Sequence, residues 1–116
     1  MEIQNSEQLS AAKCTPCSGG DEPCSLDFSQ QQLNELEGWE LTSDNQRICK
    51  HWTVRNFMEG IDFFTKVAEI AEAEAHHPDL HLVDYKNVAI EIWTHDIGGL
   101  SENDFILAAK INQIEI

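Results

Sequence analysis

Leu80-His81-Leu82-Val83-Asp84-Tyr85-Lys86-Asn87-Val88-Ala89-Ile90-Glu91-Ile92-Trp93-Thr94-His95 is the stretch on which the fold turns. Val88, Ile90 and Ile92 alternate with Ala89, Glu91 and Trp93, the period of two that puts one set on a buried sheet face. Leu80 to Asp84 carries a shorter run of the same kind. Tyr85-Lys86 between them is short enough for a tight turn, so the two runs predict an antiparallel hairpin.

Upstream, the period changes to that of a helix. Phe57, Ile61, Phe64, Ala68, Ala71 and Ala75 recur at helical spacing, with Phe63, Val67 and Ile70 widening the stripe. Asn56 is the natural N-cap, and Pro78 ends the helix by disfavouring helical geometry at His77. Before it, Trp39 to Thr42 and Arg47 to Val54 predict a first hairpin around Asp44-Asn45. Ser29 is the expected cap of a short helix with Leu33 and Leu36 on its apolar side. Downstream, Gly98-Gly99 breaks the chain. Ser101 with Asp104 three positions on forms a capping box for a final helix through Phe105, Ala108, Ala109 and Asn112. The order helix, two strands, helix, two strands, helix predicts an α+β fold: a four-stranded antiparallel sheet with three helices packed on one face.

Residues 1–28 read differently. Cys14, Cys17 and Cys24 lie here with Pro16, Pro23 and Gly19-Gly20, a loop composition. The expected division is an extended or flexible arm over 1–28 and one domain over 29–116. The arm is expected to be dispensable for chemistry. Cys14-x-x-Cys17 with Cys24 has the spacing of a zinc knuckle or redox pair. It lacks a second such pair, or the flanking strand and helix of a thioredoxin-like site, so reduced thiols on a loop are the simpler reading.

The chain has 116 residues, with 7 Lys plus Arg against 21 Asp plus Glu, a formal charge of −14. Such a surface repels phosphate, which argues against direct binding of nucleic acid or anionic lipid. No apolar run approaches the ~18 residues of a membrane span. Residues 1–12 lack a basic region followed by an apolar core, so the expectation is a cytoplasmic protein without structural disulfides.

Glu72-Ala73-Glu74-Ala75-His76-His77-Pro78 is the segment richest in chemistry. Glu72 and His76 are four apart, on one helix face, so the carboxylate and the helix C-terminus both favour positive charge at His76. Such an imidazole suits general acid–base catalysis. The plainer alternative is a helix end with two solvated histidines. With His81 and His95 nearby, a metal site is a lesser alternative, because no i, i+4 histidine pair is present. Trp39, Trp52 and Trp93 suit a core, or one of them the wall of a pocket for a flat ring.

These motifs together resemble the pterin-4a-carbinolamine dehydratase family. The resemblance rests on Glu72-Ala-Glu-Ala-His76-His77-Pro78, on Tyr85-Lys-Asn-Val88-Ala-Ile90-Glu-Ile92-Trp-Thr94-His95 and on Gly99-Leu100-Ser101-Glu102-Asn103-Asp104-Phe105. Gly38-Trp39 and the helix from Phe57 fit as well, so it covers about Leu26 to the C-terminus. It implies dehydration of 4a-hydroxytetrahydropterin to quinonoid dihydropterin, recycling the cofactor of aromatic amino acid hydroxylases. It implies no metal and no organic cofactor, and a homodimer or homotetramer. Glu72, His76, His77 and His95 fall on the family's catalytic positions, with Trp39 and Asp104 lining the pocket. Two positions depart: Ile97 stands where some relatives have cysteine, and Asn103 where some have a basic residue. The alternative is a non-catalytic dimerisation or transcriptional coactivator module of the same fold. The oligomer is expected to form through the sheet or the final helix, not through the cysteines.

Overall fold

The computed structural model describes residues 2–16 and 21–116; Cys17 and the glycines after it lie outside the described residues. The chain runs α1 (Ser6–Ala11), α2 (Leu26–Leu33), β1 (Glu40–Leu41), β2 (Ile48–Thr53), α3 (Phe57–Glu74), β3 (Asp79–Val83), β4 (Asn87–Ile92), a 3-10 turn (His95–Ile97) and α4 (Glu102–Asn112). The four strands form one sheet in the order β1-β2-β4-β3, and every pairing is antiparallel. The expected α+β architecture and both hairpins are present. Asp84 and Tyr85 turn the second hairpin with φ of 53° and 54°.

Register explains the core. Ile48, Lys50 and Trp52 of β2 pair with Ile92, Ile90 and Val88 of β4, which in turn meet Leu80 and Leu82 of β3. This puts the apolar set on one face, where Phe63 and Val67 of α3 and the apolar residues of α4 join the same core. Trp52 packs against Phe63 with ring centroids 5.0 Å apart. The opposite face carries Cys49, His51, His81 and Glu91, none of them buried.

Three expectations are corrected. The short helix is capped by Ser25, whose hydroxyl accepts from the Phe28 N–H at 3.1 Å, while Ser29 sits inside it and is buried. The last strand ends at Ile92; the Ile97 and Gly98 N–H groups bond back to Thr94 and His95, and Gly98 takes φ of 64°. On α3 the buried positions are Gly60, Phe63, Val67 and Ala71, whereas Phe57 and Ile61 are exposed. The apolar stripe of the helix is therefore wider than the face it buries. In the final helix, residues 103–109 and Ile111 are buried. The described part of the arm holds one helix, α1, ahead of α2.

That arm contains α1, closed by a capping box between Asn5 and Gln8. A six-residue helix has no stability of its own. It is held by Leu9, which is 0% exposed in the core. Lys110 Nζ donates to the Ser10 carbonyl at 2.8 Å, and Gln4 and Gln32 exchange two hydrogen bonds. Further on, the Cys24 N–H donates to the Leu100 carbonyl at 2.7 Å. A Cβ on Gly99 would lie 2.9 Å from Pro23, so the arm crosses where only glycine admits it.

Leu9→Ala should therefore destabilise the whole domain by about 2–5 kcal/mol, the range for a fully buried leucine. Urea unfolding measures it. A change under ~0.5 kcal/mol, the size of a surface substitution, would mean that the arm does not pack in solution.

Candidate active site

The site forms where the end of α3, the exit of β4 and the start of α4 converge. Asn56 caps α3 at its start, accepting from the Glu59 N–H at 2.8 Å. At the other end Ala75 adopts the left-handed conformation, φ 52°. Glycine usually fills that position, and a residue with a Cβ costs roughly 1–2 kcal/mol there. The reversal takes His76 off the helix face that Glu72 occupies and carries it toward α4.

His76 consequently pairs with Asp104 and not, as expected, with Glu72. Its Nε2 lies 2.6 Å from Asp104 Oδ1. Asp104 is 0% exposed. Its other oxygen accepts from the Thr94 hydroxyl at 2.9 Å and from the Ser101 N–H at 2.8 Å. The capping box read from Ser101 and Asp104 thus forms, and its carboxylate also holds a histidine. A carboxylate only accepts, so Nε2 is the donor and Nδ1 is the acceptor of the neutral ring.

Glu72 instead meets His77, with Oε2 2.5 Å from Nε2. Both side chains are largely exposed, at 76% and 60%. His95 opens the 3-10 turn, its ring edge-on to Trp93 with centroids 4.3 Å apart. The Arg47 guanidinium lies 4.5 Å from the Trp93 ring centre, and it also reaches Asp79 and Glu91 at 3.4 Å. Trp93 Nε1 is buried without a hydrogen-bond partner among the described residues.

A cavity of about 540 Å³ brings these groups together. Residues 73–77, 93–96 and 14–16 line it with Asn103, so His76, His77 and His95 share one space. Asp104 stands behind His76 and not on the surface of the cavity. Glu72 is not on the lining either and acts on it through His77. Trp39, expected in the pocket, is a core residue. It is 3% exposed, its Nε1 donates to Asn112 at 2.9 Å, and its ring packs edge-on to Trp52.

Sequence reasoning missed the arm's share of the site. The Asn103 side chain accepts from the Thr15 N–H at 2.9 Å and donates to the Thr15 carbonyl at 2.6 Å. The Cys14 N–H donates to Glu74 Oε1 at 2.8 Å. Burial, reinforced by the Glu74 charge, pushes the Cys14 thiol up to about 12, which favours its neutral form. No cluster of three or more metal-ligating side chains occurs among the described residues. No described helix is long and apolar enough to cross a membrane.

Residues 22–114 match the model of the family described as pterin 4 alpha carbinolamine dehydratase. The chain belongs to that family. Among its relatives, the Arabidopsis thaliana protein named pterin-4-alpha-carbinolamine dehydratase 2, mitochondrial, is 54% identical over 111 residues. That match covers 93% of this chain but only 59% of the longer plant protein. A Dechloromonas aromatica protein, provisionally named as the same dehydratase, is 44% identical over 91% of this chain and 92% of its own length. The crystal structure of a Brucella melitensis protein described as a transcriptional coactivator/pterin dehydratase superposes with a TM-score of 0.72. It is 25% identical and covers 78% of this chain and 96% of the other. Since the plant relative's name puts it in mitochondria, the similarity does not support the expected cytoplasmic location.

The hydrogen bond from Cys14 holds the Glu74 carboxyl below the usual carboxylate range, and Lys110 adds to the effect. A depressed folded value gives stability that is present above the unfolded value of about 4.3 and lost as pH falls through the lowered one. Glu74→Gln should flatten the acid limb of stability against pH below ~4.5. Urea midpoints across that range check this; parallel curves for the two proteins would contradict it.

Proposed function

We propose that the chain catalyses dehydration of 4a-hydroxytetrahydropterin to quinonoid dihydropterin, with histidines moving the protons. The observation that carries the reading is one cavity lined by His76, His77 and His95, with His76 bound from behind by the buried Asp104. Family membership and the relatives' names supply the substrate class.

The reaction breaks the C4a–O bond and removes the proton on N5, whose electron pair forms the C4a–N5 double bond. One imidazole must give a proton to the leaving hydroxyl, and another must accept the ring proton. His76 suits the second task, because Asp104 holds the proton on Nε2 and leaves Nδ1 as acceptor. His77 suits the first in its imidazolium form, with Nε2 donating to the Glu72 carboxylate and Nδ1 carrying the proton that the hydroxyl takes. His95, held against Trp93, would fix the ring between them. The substrate carries no net charge on its ring, so the acidic chain does not repel it. The step requires no cofactor in its atom balance: water and the dihydropterin are the only products. Recycling of tetrahydropterin for an aromatic amino acid hydroxylase is the role this activity would serve.

The same reading includes a homo-oligomer. Phe57, Met58 and Ile61 on α3, with Leu80 and Val83 on the edge strand β3, are exposed apolar groups that a second copy would cover. The second reading is a coactivator module without catalysis. Its support is the Brucella melitensis protein, which is described as a transcriptional coactivator as well as a pterin dehydratase. The three histidines and their carboxylate partners support the enzyme.

Stopped-flow spectroscopy of 4a-hydroxytetrahydropterin consumption tests the proposal. Wild type should accelerate it above the spontaneous rate, and His76→Ala should lose about 10²–10⁴-fold of kcat. Background-level decay with wild type would leave only the binding module.

A further inference from the structure

We infer that the arm segment 14–16 is a wall of the substrate site that touches the bound pterin and sets which substituents it tolerates. This rests on the dehydratase reading and goes beyond it, because the histidine motif contains no part of the arm.

The described lining of the cavity comes from three stretches of chain and Asn103. The end of α3 and the exit of β4 carry the histidines, and Cys14, Thr15 and Pro16 form the third. This third stretch is fastened to the elements that hold the catalytic groups. Asn103, only 6% exposed, precedes Asp104 in the first turn of α4. Its amide grips the Thr15 backbone at both the N–H and the carbonyl. Glu74, two residues before His76, accepts from the Cys14 N–H. Leu9 in the core anchors the segment that leads in. The wall therefore has a fixed distance from the histidines.

The chemistry determines what meets this wall. C4a and N5 must lie against the histidines. In a pterin C6 is bonded to N5, and its substituent projects beside the reacting atoms. Among the described residues lining the cavity, those off the two histidine-bearing stretches are Cys14, Thr15, Pro16 and Asn103, which makes the arm the neighbour that substituent meets. The arm contacts substrate in ground state and transition state alike, so loosening it should raise KM and leave kcat in place.

Two variants release the arm without touching a histidine: Asn103→Ala, which removes the clasp, and Thr15→Pro, which removes its N–H while leaving α4 intact. Steady-state kinetics would use 4a-hydroxytetrahydropterins bearing 6-methyl and 6-dihydroxypropyl groups, with melting temperature as a check on folding. The expected result is a KM raised about 5–10-fold for the larger substrate, less for the smaller, at nearly unchanged kcat. Wild-type KM for both substrates in a folded variant would overturn the inference. So would a fall in kcat at constant KM, which would make the arm a support for the histidines only. Wild type inactive on both pterins would instead sink the dehydratase reading, and this inference with it.

Discussion

A carboxylate with no exposure to solvent must be met by donors, or its burial costs several kcal/mol. Asp104 meets that constraint with three: the Ser101 N–H, the Thr94 hydroxyl and the His76 ring. Each donor belongs to a different part of the chain. Ser101 starts α4, Thr94 follows β4, and His76 follows α3. One side chain thereby ties together three junctions that the hydrophobic core alone would leave free to shift. The Thr94 and Ser101 hydroxyls also meet each other at 2.7 Å, closing the network. The group that holds the His76 ring is also the cap of α4, the helix with the most buried residues.

The rest of the site follows from that tie. His76 reaches Asp104 only because Ala75 reverses the backbone, a strained conformation at the point where the chain changes from scaffold to chemistry. His77 is then left facing solvent with Glu72, and His95 is set by the turn that starts after Thr94. Asn103, the neighbour of Asp104, extends the same organisation outward to the arm. Burial, hydrogen bonding and shape at this corner of the domain therefore come from one short segment, residues 101–104, meeting three others.

The parts legible in the sequence are those where periodicity or local capping decides. The alternation of Val88, Ile90 and Ile92 marks the inner sheet face, Asn56 the start of the long helix, and Ser101 with Asp104 the cap of the last one. The motif itself points to the histidines and Asp104. What stays hidden depends on contacts distant in sequence. Nothing local distinguishes Ser25 from Ser29 as a cap, and α1 exists only because Leu9 finds a core made by other elements. The Asn103–Thr15 clasp spans 88 positions. The exchange of partners, Glu72 to His77 and His76 to Asp104, hinges on one left-handed alanine that helical spacing does not foresee. Resemblance puts Trp39 in the pocket, whereas its indole satisfies Asn112 inside the core.

The central claim is that Asp104 fixes the proton of His76 on Nε2 and leaves Nδ1 to the pterin. Nitrogen-15 spectra of the histidine rings read this directly, taken where the rings are neutral, with and without a tetrahydropterin lacking the 4a-hydroxyl. The account predicts a protonated Nε2 and an unprotonated Nδ1 at His76 in the free protein. On addition of the pterin, Nδ1 of His76 and the ring of His95 should shift while His51 and His81, on the far face of the sheet, do not. A His76 ring protonated on Nδ1, or a pterin that moves only His51 and His81, would contradict it.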